Sequence, residues 1–373
     1  MTNSIKQILP PATIGILGGG QLGQMMALSA KSMGYKVGIL DPTPQAPAAQ
    51  VSDFQIVADY DDEDALKELA QKSDVLTYEF ENVDQKALAK VTDYVDVPQA
   101  IDELTITSHR LHEKDFLSKN GIPVTEYAAV NTADDLKQAV ANIGYPGIVK
   151  TCEGGYDGHD QIDINDESDI DKAAAELNHR EWIYEKKQPF EKEVSIMVTR
   201  DVSGMNIPFP LSENIHKNHI LHTSIVPARV DDAVHEQASD IAVKIADRLG
   251  LVGVLGIEFF LMPNGELLVN ELAPRPHNSG HYSIEACNIS QFEAHIRSIC
   301  GLEIPTIRQD HKAVMVNLLG DDLTTARQAL PTNPSWHFHD YGKAEIRPGR
   351  KMGHITVIGD SFDQLLEQVN QFK

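Results

Sequence analysis

The sequence predicts an α/β domain built on a parallel sheet, then an α+β domain, then a small β-rich third domain. Up to about residue 110, apolar strand-like runs alternate with helical ones, the order that a parallel sheet flanked by helices requires. Beyond it, short strands separated by turns surround one long amphipathic helix. At 373 residues the chain exceeds one ordinary core and suits two or three domains.

The first domain, residues 1–110, opens as a βαβ unit. Thr13 to Leu17 is apolar, Gly18-Gly19-Gly20 is a turn, Gln21 to Met33 is helical, and Lys36 to Leu40 is the next strand. A strand from Phe54 to Val57, a helix from Glu63 to Gln71, a strand from Val75 to Tyr78 and a helix from Asp84 continue the alternation. A helix around Ser108 to Asn120, ended by Asn120-Gly121-Ile122-Pro123, leads into the second domain, residues 111–300. Its expected strands are Gly147 to Lys150, Trp182 to Lys186, Glu193 to Thr199, Val254 to Met262 and Leu267 to Leu272. Its long helix, Asp232 to Leu249, is stopped by Gly250. After a helix ending near Cys300, Gly301 to Pro305 reads as a linker into the third domain, residues 301–373, with a hairpin turning at Pro348-Gly349.

A formal charge of -23 disfavours nucleic acid as a partner, although a small phosphorylated ligand can bind where a few Lys and Arg converge. Cys152, Cys287 and Cys300 are scattered without Cys-x-x-Cys spacing, which fits reduced thiols and speaks against a zinc or disulfide framework. No apolar run approaches the roughly 20 residues a bilayer needs, and the first residues lack a signal-peptide pattern. The expectation is a cytoplasmic protein with no membrane partner.

The segment from Gly256 to Glu271 carries the sharpest signal, because Asn264-Gly265 marks a two-residue hairpin loop. With that loop Pro263 faces Glu266, and the register sets Glu258 opposite Glu271 on one face. Two carboxylates about 5 Å apart repel by roughly 3 kcal/mol at an effective dielectric of 20. A magnesium ion between them removes that penalty, whereas a solvated face dilutes it; the hairpin alone leaves both readings open. Asn270 falls on the opposite face in this register. Upstream, the strand ending in Lys150 runs into Thr151-Cys152-Glu153-Gly154-Gly155-Tyr156-Asp157-Gly158, a Gly-rich loop able to approach phosphates closely. It lacks the Gly-Lys-Ser/Thr of a Walker motif.

Taken in order, Arg110, Lys150, Gly155-Tyr156-Asp157-Gly158, Glu185, Glu193-Val194-Ser195, Glu258 and Asn270-Glu271-Leu272-Ala273-Pro274-Arg275-Pro276-His277-Asn278 resemble the ATP-grasp superfamily over nearly the whole chain. Gly18-Gly19-Gly20-Gln21-Leu22-Gly23, the Gly-Gly-Tyr-Asp-Gly loop and Pro-Arg-Pro-His-Asn-Ser-Gly-His are similar to the N5-carboxyaminoimidazole ribonucleotide synthetase family within it. The resemblance implies an ATP-grasp fold with a Rossmann-like N-terminal domain, and ATP-dependent carboxylation of aminoimidazole ribonucleotide by bicarbonate through carboxyphosphate, in purine biosynthesis.

For the nucleotide, the resemblance implies that Arg110 and Lys150 contact ATP phosphates and that Gly155 to Gln161, including Tyr156, Asp157 and Gly158, form a covering loop. Glu185, Lys186 and Gln188 belong to the adenine hinge, Glu193 takes the ribose hydroxyls, and His216, Asn270 and Glu271 complete the ATP contacts. Glu258 and Glu271 hold magnesium, with two ions possible. Lys150, Arg275 and His277 are the implied catalytic groups, the guanidinium holding bicarbonate and the imidazole assisting proton movement. The ribonucleotide is implied to meet Gln21, Leu22, Glu79, Tyr156, Asp157, Arg275, Asn278, Lys343, Arg350 and Lys351. A homodimer is also implied. One departure stands out: Gly158-His159-Asp160-Gln161 replaces a frequent Gly-Arg-Gly-Gln, so His159 receives no role.

Two rivals remain. Gly18-x-Gly20-x-x-Gly23 after a strand, with Asp41 at the end of the next, formally satisfies the fingerprint of an NAD-dependent oxidoreductase, but that reading leaves the glutamate pair and the Lys150 loop unexplained. A formate-dependent glycinamide ribonucleotide transformylase shares the ATP-grasp plan, and residue physics does not separate formate from bicarbonate.

Overall fold

The computed structural model describes residues 6–154, 160–177 and 180–372. Its first sheet is parallel, in the order Phe54–Ile56, Lys36–Leu40, Thr13–Leu17, Val75–Tyr78. Ile14, Ile16, Val37, Ile39 and Val75 are fully buried within it, as expected of strands covered on both faces. The expected helices Gln21–Ser32 and Glu63–Gln71 are present, the latter capped by the Asp62 carboxylate accepting from Ala65 N–H.

A second, four-stranded antiparallel sheet runs Tyr127–Val130, Trp182–Lys186, Gly147–Thr151, Gln161–Ile164. The largest sheet, nine-stranded, begins at Leu267–Ala273 and passes through Gly253–Leu261, Lys192–Arg200, Ser212–Lys217 and Ile220–Val226. It continues into Lys312–Leu319, Lys351–Gly359 and His337–Asp340, with Asn206–Pro208 as a ninth strand on Lys192–Arg200, so the β-rich C-terminal segment extends this sheet rather than forming its own. Pro348-Gly349 lies in the connection between His337–Asp340 and Lys351–Gly359, in a turn closed by Arg350 N–H on Arg347 O. The long helix Asp232–Leu249 packs Ile241 and Ile245 on this sheet and stops at Gly250, in the left-handed conformation (φ 66°) that favours glycine.

The helix Gln291–Ile299 belongs by sequence to the second domain but packs Phe292, Ile296 and Ile299 against Ile14 and Met26 of the first. A buried polar network reinforces this junction. Thr77 Oγ1 donates to Gln99 Oε1 (2.6 Å) and lies 2.8 Å from His295 Nε2, while Gln99 Nε2 donates to Pro274 O (3.0 Å) beside Arg275. Val254 N–H donates to His295 Nδ1 (3.2 Å), so the ring proton belongs on Nε2, facing Thr77. Gly253 must be glycine here: its φ is +96°, and a Cβ would stand 2.9 Å from the His295 ring.

Burial lowers the His295 imidazole from 6.5 to about 3. Below pH 6.5 the unfolded chain takes up a proton that the native ring refuses, so stability falls from pH 6.5 toward 3, by on the order of 1 kcal/mol per pH unit from this group. Thermal melts of the parent protein and of His295→Gln across that range check it: the variant is expected to show the shallower pH dependence, and parallel curves would refute the assignment.

Candidate active site

The small antiparallel sheet and the nine-stranded sheet bound a cleft of about 790 Å³. Lys150, Gln161, Glu185, Lys186 and Gln188 line it from one side; Glu193, His216, Glu258, Asn270 and Glu271 line it from the other. Arg110, Arg275, His277, Asn278 and Lys351 also reach it.

The glutamate pair is the centre of its polar end. Glu258 and Glu271 are direct partners across the hairpin, as expected, but the route differs. Met262 and Glu266 close a three-residue loop, Pro263 to Gly265, with Gly265 at φ +84°, rather than the expected two-residue loop. The odd loop shifts the register by one residue, and a β-bulge at Asn270 shifts it back before Glu271. A bulge sets two residues against one, which explains why Asn270 lines the same cleft as Glu271 instead of facing away. The bulge is held from outside. Lys114 Nζ donates to Val269 O (3.1 Å) and Asn270 O (2.7 Å), and Glu113 accepts from Leu272 N–H (2.8 Å). Leu267–Ala273 is an edge strand, so these side chains of the helix Arg110–Lys119 satisfy backbone groups that no neighbouring strand can reach.

Burial, then the charge of Glu271, pushes the Glu258 carboxyl up to about 7. Asn270 Oδ1 is buried with no hydrogen-bond partner among the described residues. Two carboxylates and an orphaned amide oxygen make a hard-oxygen set suited to magnesium. Among the described residues no group of three or more His, Cys, Asp and Glu is placed to hold a metal.

Farther along the cleft, Lys150 Nζ donates to Glu185 Oε2 at 2.8 Å. Burial favours the neutral acid, but Lys150, Lys114 and Arg110 outweigh it and hold Glu185 at about 2. Arg110 forms an ion pair with Glu271 (3.6 Å), and His216 Nδ1 lies 2.7 Å from Glu193 Oε2. Phe190 and Phe260 stack with centroids 4.7 Å apart and line the cleft as an apolar wall. Gly155, Tyr156, Asp157 and Gly158 lie outside the described residues.

Arg275 Nε donates to Glu81 Oε2 at 2.6 Å, tying the strand end to the first domain. His277 Nε2 lies 3.4 Å from Glu258 Oε1. Asn278 and Asn317 exchange amide hydrogen bonds of 3.0 and 2.6 Å. Gln21, Leu22, Glu79, Lys343 and Arg350 are not among the residues lining this cleft. Glu79 instead accepts from Gly20 N–H and, at 2.6 Å, from Gly23 N–H, while Asp41 accepts from Gly19 N–H (2.7 Å). Gly18 and Gly20 permit that approach, since a Cβ on either would stand 2.3 or 2.6 Å from the Glu79 side chain. A carboxylate thus occupies amides that the dinucleotide fingerprint would offer to a pyrophosphate. Lys343 Nζ donates to Lys351 O (2.6 Å), and burial with the neighbouring Arg350 lowers it to about 8 despite the pull of Glu79. Arg350 donates to Glu345 O (3.1 Å).

Sequence reasoning missed Glu81, Lys114, Glu113, Phe190, Phe260 and the turn at Asn218 and His219, which also lines the cleft. That turn has both residues at positive φ (49° and 65°), the two-residue hairpin geometry, but Asn-His is a weaker signal for it than Asn-Gly. The others are ordinary helix, strand or loop residues until the chain folds.

Residues 11–108 match the ribonucleotide synthetase preATP-grasp domain, 115–292 the ATP-grasp domain, and 313–368 the phosphoribosylaminoimidazole carboxylase C-terminal domain. The N5-carboxyaminoimidazole ribonucleotide synthase of Bacillus subtilis is 48% identical over 365 residues, 98% of this chain and 96% of the relative. The Staphylococcus aureus synthetase solved with ADP superposes with a TM-score of 0.95 at 43% identity, covering 99% of each chain. The Aspergillus clavatus enzyme in complex with ADP and 5-aminoimidazole ribonucleotide gives 0.90 at 32% identity, covering 97% of each. With the cleft, its glutamate pair and its three contributing segments all in this order, the chain belongs to the N5-carboxyaminoimidazole ribonucleotide synthases, enzymes of the ATP-grasp ligase superfamily.

Proposed function

We propose that this enzyme carboxylates 5-aminoimidazole ribonucleotide with bicarbonate, converting ATP to ADP and phosphate, in de novo purine biosynthesis. The observation that carries the reading is the convergence on one cleft of Lys150, the Glu258 and Glu271 pair, Arg275 and Lys351, contributed by separate parts of the chain. The Aspergillus relative's complex with ADP and 5-aminoimidazole ribonucleotide supports the choice of ligands.

In this reading Arg110 and Lys150 neutralise ATP phosphates beneath the loop from Gly155 to Gln161. Glu185, Lys186 and Gln188 border the adenine, Phe190 and Phe260 wall it, and Glu193, oriented by His216, takes the ribose hydroxyls. Glu258, Asn270 and Glu271 would hold magnesium, one ion or two, which supplies positive charge for phosphoryl transfer when bound. A bicarbonate oxygen attacks the γ-phosphorus and ADP leaves, giving carboxyphosphate. Its C–O bond then breaks to release phosphate and carbon dioxide, which the substrate's exocyclic amine captures. Arg275, held by Glu81, presents its guanidinium to bicarbonate, and Lys150 stabilises charge on the transferring group. For the ribonucleotide phosphate, the helix-start amides of Gln21 and Leu22 join Lys343, Arg350 and Lys351. Glu79 is assigned to the ribose, and Tyr156, Asp157 and Asn278 to the imidazole.

No helix is long and apolar enough to cross a membrane among the described residues. With the reaction class, this supports a cytoplasmic site of action; the homodimer rests on family resemblance and is checked by sedimentation.

The test is phosphate release from magnesium-ATP with aminoimidazole ribonucleotide, comparing bicarbonate with formate, and again with glycinamide ribonucleotide. Release with aminoimidazole ribonucleotide and bicarbonate, with a carboxylated product, is expected; release confined to formate and glycinamide ribonucleotide would overturn the named reaction. Glu271→Gln is expected to cut magnesium-dependent turnover by at least about a hundredfold, since it removes a charged oxygen from the transfer site. Near-normal activity in that variant excludes the metal assignment. Lys343→Ala is expected to raise the Michaelis constant for the ribonucleotide about tenfold, the usual weight of a charged hydrogen bond. An unchanged constant removes Lys343 from the phosphate site.

A further inference from the structure

We infer that His277 works as its Nε2–H tautomer, donating a hydrogen bond to an anionic oxygen bound in the cleft, and that Ser279, Ser195 and Asn214 are positioning residues that impose this state. The inference builds on the reading of the cleft given above and adds the direction of one proton.

The geometry begins with a donor that has no alternative. The backbone N–H of Ser279 points at His277 Nδ1 from 3.4 Å, and a backbone amide can only donate, so Nδ1 must present its lone pair. Ser279 Oγ lies 2.9 Å from the same nitrogen. Ser195 Oγ donates to Ser279 Oγ at 2.7 Å, leaving the Ser279 hydroxyl hydrogen free to turn toward Nδ1. Behind it, Asn214 Nδ2 donates to Ser195 Oγ at 2.8 Å, and the Ser224 hydroxyl sets the amide's orientation by donating to Asn214 Oδ1 at 3.0 Å. Ser212 Oγ lies 2.8 Å from Ser195 Oγ and donates to the Ser195 carbonyl at 3.1 Å. The chain therefore runs one way, from Asn214 through Ser195 and Ser279 to His277, and each bond polarises the next.

Water does not compete for these groups. Ser195, Ser224 and Ser279 are 0% exposed, Ser212 1% and Asn214 5%. The backbone on which the ring rides is clamped as well: His277 N–H donates to Gln291 Oε1 and Gln291 Nε2 donates to His277 O, each at 2.8 Å. A ring flip would set a C–H against the serine chain and strand a buried hydroxyl, a costly exchange. Nδ1 is thus committed to the interior, and what His277 offers the cleft is the N–H of Nε2, on the side of Glu258. With Nδ1 accepting, the ring carries one proton only and is a neutral donor. Such a group can steady a carboxylate or phosphoryl oxygen, but its only basic nitrogen faces away from substrate.

The experiment is nitrogen NMR of the full-length protein labelled in its histidine rings, with His277 assigned by the signals lost in His277→Gln. The expected spectrum has the proton on Nε2 and a bare Nδ1; a protonated Nδ1 overturns the inference. The spectrum is read without substrate, so it stands or falls apart from the identity of the reaction. Turnover supplies the second arm. A Gln amide nitrogen can reach the position of Nε2 whereas that of Asn falls near Nδ1, so His277→Gln is expected to retain at least tenfold more kcat than His277→Asn. Equal loss in the two, or full activity in His277→Ala, overturns the donor role. Ser279→Ala, which keeps the backbone donor but not the hydroxyl, is expected to lower kcat about fivefold and to shift the Nδ1 signal while the proton stays on Nε2, with the Michaelis constant for ATP unchanged. Wild-type kcat with an unaltered His277 spectrum in Ser279→Ala would remove that serine from the relay.

Discussion

Two like charges set face to face in a buried hairpin are the constraint around which this structure is organised. Glu258 and Glu271 repel each other, and burial disfavours the ionised form of Glu258 further, so they persist together only inside a scaffold that cannot relax them apart. The bulge at Asn270 supplies the register, and Lys114 and Glu113 hold the edge strand that carries it. Arg110, from the same helix, offsets part of the charge on Glu271. One helix thus braces the strand from outside and reaches the cleft from its first residue.

The cleft is assembled from layers that are far apart in sequence, and each joint is a specific polar contact. Arg275 reaches back to Glu81, Gln99 holds the carbonyl of Pro274, and Asn278 is locked to Asn317. These contacts surround the short run from Pro274 to Asn278, which places a guanidinium, an imidazole and an amide beside the glutamate pair. Such a run would be a mobile loop on the surface of an isolated sheet. Here its backbone and side-chain groups are satisfied by three neighbouring elements, which gives it the rigidity that charge-stabilising catalysis requires.

The C-terminal segment follows the same logic. Its strands continue the large sheet through the pairing of Ile220–Val226 with Lys312–Leu319, and Ile225, Val314, Val357 and Trp336 share one apolar cluster. That continuity carries Lys351 to the cleft and Lys343 within the field of Glu79, the carboxylate that accepts from the N-terminal glycine turn.

Local signals were legible wherever the relevant physics acts over a few residues. The βαβ opening, the helix Asp232–Leu249 with its glycine stop, and the opposition of Glu258 and Glu271 follow from periodicity, capping and hairpin pairing. Even there the loop length was misread. Asn264-Gly265 forms part of a three-residue loop, and the pairing survived only because a bulge, invisible to residue patterning, cancelled the shift. The glycine turn shows the same division: its conformational freedom is written in Gly18 and Gly20, but that Glu79 fills the space they leave is not. Glu81, Lys114, Phe260 and the serines behind His277 acquire their roles from partners up to 194 residues away. By itself the sequence determined the elements, the likeness to a family and the residues able to do the chemistry, because propensity, periodicity and motif spacing are local. Only the tertiary structure decided which side chains hold the bulge, which carboxylate claims the glycine amides and which nitrogen of His277 faces the cleft, because those depend on burial and hydrogen-bond closure between segments that meet only in the folded chain.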